Sequence, residues 1–132
     1  MGQHLESLAG LRILVVEDEV MIAMMLEDML QDFGCRVEVA PSIEAALEVI
    51  RDHRLDGVLL DMNIHGRTPV ALADELVSRA VPFLLVTGYS GGSGDAPIIK
   101  AAPRLQKPFK ESEMAQRMTE TFAAPPAAQR NL

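Results

Sequence analysis

The sequence predicts an α/β domain, a doubly wound sheet of five parallel strands with five helices covering both faces. Three observations predict it. Short apolar runs recur along the 132 residues, among them Leu11-Arg-Ile-Leu-Val-Val16, Gly57-Val-Leu-Leu60 and Pro82-Phe-Leu-Leu-Val86. Such continuous runs suit strands buried on both faces. Helix-length segments separate them, and that alternation favours a parallel sheet. Each run also ends on polar chemistry: Glu17 and Asp18, then Asp61, then Thr87, and Lys107 after Pro103-Arg-Leu-Gln106. Ligands of open parallel sheets bind just beyond the carboxyl ends of the strands.

The elements follow in order. The first strand is Leu11–Val16, and residues 18 to 33 form a helix with Val20, Met21, Met24, Leu26 and Met29 near helical spacing. The methionines are expected in the core, because Met fills irregular gaps on buried faces. Gly34 should stop the helix in a left-handed cap. Cys35-Arg-Val-Glu-Val-Ala40 alternates with period two and reads as an edge strand. Ser42 caps the second helix, in which Ala45, Ala46, Leu47, Val49 and Ile50 follow.

Leu55–Leu60 is the third strand. Thr68 is expected to cap the third helix, with Pro69 at its first position and Val70, Leu72, Ala73, Leu76 and Val77 on its buried face. Pro82–Val86 is the fourth strand. Gly88-Tyr-Ser-Gly-Gly-Ser-Gly94 is too rich in glycine for a helix and reads as a mobile loop. A shortened fourth helix over Ala96–Ala101, a fifth strand over Pro103–Gln106 and a last helix over Glu111–Phe122 complete the pattern. The expected organisation is an N-terminal extension (1–10), one domain (11–122) and a frayed tail (123–132). There is no internal repeat, and no second domain is expected after the fifth helix.

Composition narrows the function. Twelve basic against nineteen acidic side chains give a formal charge of −7. Nucleic-acid affinity rests on Lys and Arg neutralising phosphates, so direct DNA or RNA binding is not expected. Cys35 is the only cysteine, which excludes an intramolecular disulfide and reads as a small buried hydrophobe. The apolar runs are too short to span a bilayer. Met1-Gly-Gln-His-Leu-Glu-Ser7 lacks the basic segment and apolar core of a signal peptide, so a cytoplasmic location is expected.

The strand-end residues suggest one chemistry. A carboxylate such as Asp61 can attack phosphorus and form an aspartyl phosphate. An anion attacking an anionic phosphoryl group needs neutralising charge. Mg²⁺ prefers oxygen ligands and keeps several waters, so few protein carboxylates suffice. Asp18 and Asp61 would be direct ligands, Glu17 would act directly or through water, and the Asn63 backbone carbonyl would add another oxygen. Lys107 would pair with Asp61 at rest and with a phosphoryl oxygen after transfer. Thr87 would donate its hydroxyl to another. Taken singly, Asp18 could be a helix cap, Asp61 a turn residue and Lys107 a solvated charge. Jointly, clustered carboxylates repel one another unless a cation joins them.

The motifs Val15-Val-Glu-Asp-Glu19, Leu59-Leu-Asp-Met-Asn63, Val86-Thr-Gly88 and Lys107-Pro-Phe109 resemble those of the receiver domain of bacterial two-component response regulators. The resemblance covers roughly residues 11–122. It implies a flavodoxin-like sheet with strand order 2-1-3-4-5. It also implies transfer of a phosphoryl group to Asp61 from a histidine kinase or histidine phosphotransfer protein. Mg²⁺ would lie at Glu17, Asp18, Asp61 and the Asn63 carbonyl, and Thr87 and Lys107 would sense the phosphate. The implied protein is a phosphoacceptor rather than an enzyme, with Mg²⁺-dependent self-phosphorylation and autodephosphorylation. It would act as a monomer or weak dimer through an unnamed protein partner, without nucleic acid or membrane.

Three departures from the family stand out. Leu105 occupies the position of the usual aromatic switch residue, while Tyr89 lies two residues past Thr87. This is similar to a subgroup of stand-alone receivers with a Phe-Ala-Thr-Gly-aromatic motif, and it assigns the switch to Thr87, Tyr89 and the loop at 88–94. The loop after Asp61 reaches glycine early, at Gly66, and His65 stands near the place of the family's usual proline. The fourth helix is short, which argues against dimerisation through the face built by the fourth and fifth helices. His65, His4 and His53 are read as solvent-facing.

Other functions fit less well. A haloacid-dehalogenase-type phosphatase needs an acid two residues after its nucleophilic Asp, where this chain has Asn63. A flavodoxin-like cofactor binder needs a phosphate loop after the first strand, and Glu17-Asp18-Glu19 would repel phosphate. A phosphate sink for a kinase and a receiver-like binding module that works without phosphorylation remain as alternatives to the switch.

Overall fold

The computed structural model describes residues 7–88 and 96–123. The order is β1 (Arg12–Val16), α1 (Val20–Asp32), β2 (Arg36–Ala40), α2 (Ile43–Asp52), β3 (Gly57–Asp61), α3 (Val70–Ser78), β4 (Phe83–Thr87), α4 (Pro97–Ala101), β5 (Arg104–Gln106) and α5 (Glu111–Met118). All four strand pairings are parallel, and the sheet runs β2-β1-β3-β4-β5. The expected flavodoxin-like order is therefore present, with β2 at one edge.

Period-two alternation along the central strands builds a core on each face. Leu14 and Val16 of β1, with Val58, Leu60 and Leu85, pack against Ala46, Leu72 and Leu76 of α2 and α3. Ile13 and Val15, with Leu59, Leu84 and Val86, pack against Leu26, Leu30, Met114 and Met118 of α1 and α5. Ahead of β1, Leu8 is fully buried in the second core. Its carbonyl accepts from the Leu11 N–H at 3.2 Å.

Local signals behave as their chemistry requires at several boundaries. Gly34 takes φ +89° after α1, where a Cβ would lie 3.2 Å from Ala9. The Ser42 side chain accepts from Ala45 N at 3.0 Å and caps α2. The fourth helix is indeed short, at five residues. Cys35 is buried, and that burial pushes its thiol up to about 11.

Other expectations need correcting. Val20, Met21 and Met24 do not enter the core: they are 69%, 80% and 56% exposed. α1 carries two apolar stripes, and the one through Ala23, Leu26 and Leu30 meets the sheet. A Met-rich second stripe satisfies the same helical period and so misled the reading. Val77 is likewise exposed, because α3 buries Leu72, Ala73 and Leu76. Thr68 does not cap α3: Pro69 holds the N-cap position without a side-chain bond, and the Val70 N–H reaches the Thr68 carbonyl at 2.8 Å. The last helix stops being α-helical at Met118 and continues as a π-helical turn over Thr119–Ala123. Tyr89, His4, most of the glycine-rich loop and most of the tail lie outside the described residues.

Candidate functional site

The carboxyl ends of β1, β3, β4 and β5 bring the expected residues to one end of the sheet, and the backbone ladder runs on just past the strands to hold them in register. Glu17 N–H donates to Ala40 O at 3.1 Å, Met62 N–H to Val86 O at 3.1 Å and Lys107 N–H to Thr87 O at 2.7 Å. One carboxylate oxygen from each of Glu17, Asp18 and Asp61 lies within 4.8 Å of the others.

Glu17 carries the clearest sign of an unmet charge. Its side chain is buried, and its Oε1 has no hydrogen-bond partner among the described residues, while Oε2 accepts the Glu19 N–H at 3.1 Å. Burial, reinforced by the neighbouring Asp61 carboxylate, pushes its carboxyl up to about 7. The Glu19 N–H and the Lys107 ammonium act in the opposite direction. Buried polar atoms are nearly always paired, so an orphaned carboxylate oxygen beside two other carboxylates fits a hard cation.

Asp18 is not a helix cap. The N-cap of α1 is Glu19, without a side-chain bond. Asp18 Oδ2 instead accepts the backbone N–H of His65 at 2.9 Å, and that bond holds its carboxyl below the ordinary aspartate range. Asp61 keeps part of its turn role, because its Oδ1 accepts the Asn63 N–H at 3.2 Å. Thr87 is buried at the end of β4. Leu105, in the usual aromatic position, is buried in the core shared with α1 and α5. Tyr89 is outside the described residues.

Sequence reasoning missed His65. Its side chain is 58% exposed, as expected, yet its ring is not idle: Nδ1 lies 3.5 Å from Asp18 Oδ2, and Nε2 lies 3.1 Å from Pro41 O. The missing proline was the available signal, since proline has no N–H to offer Asp18.

A doubly wound sheet with an acidic, cation-ready crevice at its switch-point end defines a class of phosphoryl- or nucleotide-handling α/β domains. Comparison narrows the class to one family. Residues 13–119 match the response regulator receiver domain, and the chain belongs to that family. It is 34% identical over 80 residues to the transcriptional regulatory protein ZraR of Escherichia coli K12, a match covering 59% of this chain and 18% of ZraR. The chain thus spans only a small part of that relative's length. Among solved structures, the receiver domain of the sensor histidine kinase PA1611 from Pseudomonas aeruginosa has a TM-score of 0.77 at 24% identity, covering 88% of this chain and all of that one. It carries a magnesium ion in its active site cleft. The response regulator TrrA of Thermotoga maritima, in complex with Mg(2+)-BeF, has a TM-score of 0.73 at 29% identity, covering 83% and 96%.

Proposed function

We propose that the chain is a phosphorylation-controlled switch whose phosphoacceptor is Asp61. The observation that carries this reading is the buried Oε1 of Glu17, unpartnered among the described residues, beside Asp18 and Asp61. Phosphoryl transfer depends mainly on positioning and charge stabilisation, and the crevice supplies both. Glu17, Asp18, Asp61 and the Asn63 carbonyl would hold Mg²⁺, which would neutralise charge on the incoming phosphoryl group. The Mg²⁺ and BeF bound by TrrA support that assignment.

The donor is a phosphohistidine on a histidine kinase or phosphotransfer protein. Asp61 Oδ1 accepts the Asn63 N–H, which leaves Oδ2 to attack phosphorus. An O–P bond forms, the P–N bond breaks, and its electron pair returns to the donor imidazole. The Lys107 ammonium and the Thr87 hydroxyl then bind phosphoryl oxygens of the aspartyl phosphate. The exposed stripe of Val20, Met21, Met24 and Met25 begins two residues past Asp18. It gives the donor an apolar surface beside the crevice mouth. The output is a change in protein–protein affinity, relayed through Thr87 and Tyr89.

The test is incubation with Mg²⁺ and a small phosphodonor, followed by intact mass measurement. One phosphoryl increment is expected, and Asp61→Asn should abolish it. Absence of any increment, with small donors and with kinase alike, would sink the proposal. Tyr89→Ala should leave the increment intact and remove the phosphorylation-dependent gain in partner binding. If phosphorylation itself is lost, Tyr89 serves the site rather than the switch.

A further inference from the structure

The loop after Asp61 is a two-residue hairpin. Ile64 N–H donates to Arg67 O at 2.9 Å, and Arg67 N–H returns to Ile64 O at 3.0 Å. The two central residues, His65 and Gly66, have φ of +52° and +78°, the signature of a type I′ turn. Positive φ is uncommon outside glycine, although histidine tolerates it better than most residues. Three contacts hold the turn in place. Ile64 is fully buried in the core, His65 Nε2 meets Pro41 O at 3.1 Å, and Arg67 pairs with Glu44 at 3.2 Å. In this conformation the His65 N–H points away from the hairpin and donates to Asp18 Oδ2 at 2.9 Å.

From this we infer that His65 is a positioning residue for the cation: its backbone N–H fixes the Asp18 carboxylate so that Oδ1 alone is offered to the crevice. The inference rests on the reading of Glu17, Asp18 and Asp61 as the Mg²⁺ ligands. Two physical points support it. A carboxylate with one oxygen engaged by a backbone donor loses rotational freedom before the cation arrives, which lowers the entropy cost of binding. And the role belongs to this chain in particular, because a proline near this position would have no N–H to give. The early Gly66 is part of the same device, since the turn that aims the N–H needs positive φ at both central positions.

The test measures Mg²⁺ affinity by titration calorimetry on the metal-free, unphosphorylated protein. Loss of an outer partner of a metal ligand typically weakens metal binding about 10- to 100-fold. His65→Pro removes the N–H and should weaken Mg²⁺ binding at least about tenfold. His65→Asn keeps the N–H in a residue that accepts positive φ, and should remain within about threefold of the parent. Proline cannot adopt the observed φ. A backbone ester at the Ile64–His65 linkage therefore gives the decisive comparison, deleting the N–H while keeping the ring and allowing the positive φ, with an ester at the Gly66–Arg67 linkage, which deletes the Arg67 N–H, as the control for a weakened turn bond. A parent protein that binds no Mg²⁺ would overturn the ligand assignment itself. A parent that binds, with an ester that binds equally well, would overturn the role of His65 alone. As a spectroscopic check, the His65 amide proton resonance should shift upfield in Asp18→Ala. An amide that ignores that substitution would also overturn the inference.

Discussion

At the amino end of the sheet, polar groups find partners within the chain. Arg12 N–H donates to Asp56 Oδ2 at 2.8 Å, and Asp56 N–H returns to Arg12 O at 2.8 Å. The Phe122 ring closes over Gly57, and a groove of about 1340 Å³ opens beside it, lined by Arg54, Val77, Pro82, Ala102 and Phe122. At the carboxyl end Glu17 is buried with one oxygen unmatched among the described residues. The two ends teach that cavity size and chemistry are separate signals. The groove is where helices and loops meet imperfectly around a satisfied backbone. The crevice is where the fold keeps an electrostatic cost that only a ligand can remove.

The sharpest way to break this comparison is to remove the cost. The Glu17 carboxyl sits at about 7 in the folded chain, against 4.5 as the reference value. Between those values the native state holds a proton that the unfolded chain has already released. Stability of the metal-free protein should therefore be greatest below pH 4.5 as far as Glu17 is concerned, fall as pH rises towards 7, and level off above it. Glu17→Gln should accordingly be more stable than the parent at pH 8 in EDTA, and the two should converge near pH 4.5. The same variant should lose most of the stabilisation that Mg²⁺ gives the parent. Thermal melts at the two pH values, with and without Mg²⁺, check each outcome. Equal stability at pH 8 would mean that the crevice stores no such cost.

The amino end should respond in the ordinary way of a packed core. A Cβ added to Gly57 would meet the Phe122 ring. Gly57→Ala should therefore destabilise by about 1–3 kcal/mol, as overpacking does. Phe122→Ala in the same chain should recover part of the loss, while Mg²⁺ affinity stays unchanged. If Gly57→Ala weakened Mg²⁺ binding, β3 would be transmitting strain from Gly57 to Asp61, and the two ends would not be independent.

These contrasts also explain what the sequence made legible. The strands and the strand-end constellation could be read because buried parallel strands write continuous apolar runs, and a change to acidic or hydroxyl residues marks where each run meets solvent, whereas the strand order came from the family resemblance. The facing of α1 was not legible, since Val20, Met21 and Met24 keep the same period as Ala23, Leu26 and Leu30, and only packing decides between the stripes. The His65 N–H was invisible for another reason. A backbone donor leaves no mark on composition, and its direction depends on a turn whose φ values no residue type fixes alone. The cap of α3 failed on the same ground: Thr68 has the right side chain, but Pro69 takes the N-cap position.

The misread stripe of α1 yields the smallest expected effect on the molecule and a useful one on its partner. Met21 is 80% exposed, so replacing it removes almost no packing. Met21→Glu should change stability by no more than about 0.5 kcal/mol. It should leave phosphorylation by a small donor at the parent rate, because the crevice is untouched. If the phosphohistidine donor seats on this stripe, a buried charge at its centre should slow transfer from the kinase about tenfold, equivalent to ~1.4 kcal/mol. Parallel time courses with the small donor and with the kinase separate the two. Unchanged transfer from both would show that the apolar stripe beside the crevice is not the donor's seat. Slowing with both would mean that α1 communicates with Asp61 directly, and that the crevice is less self-contained than its backbone ladder suggests.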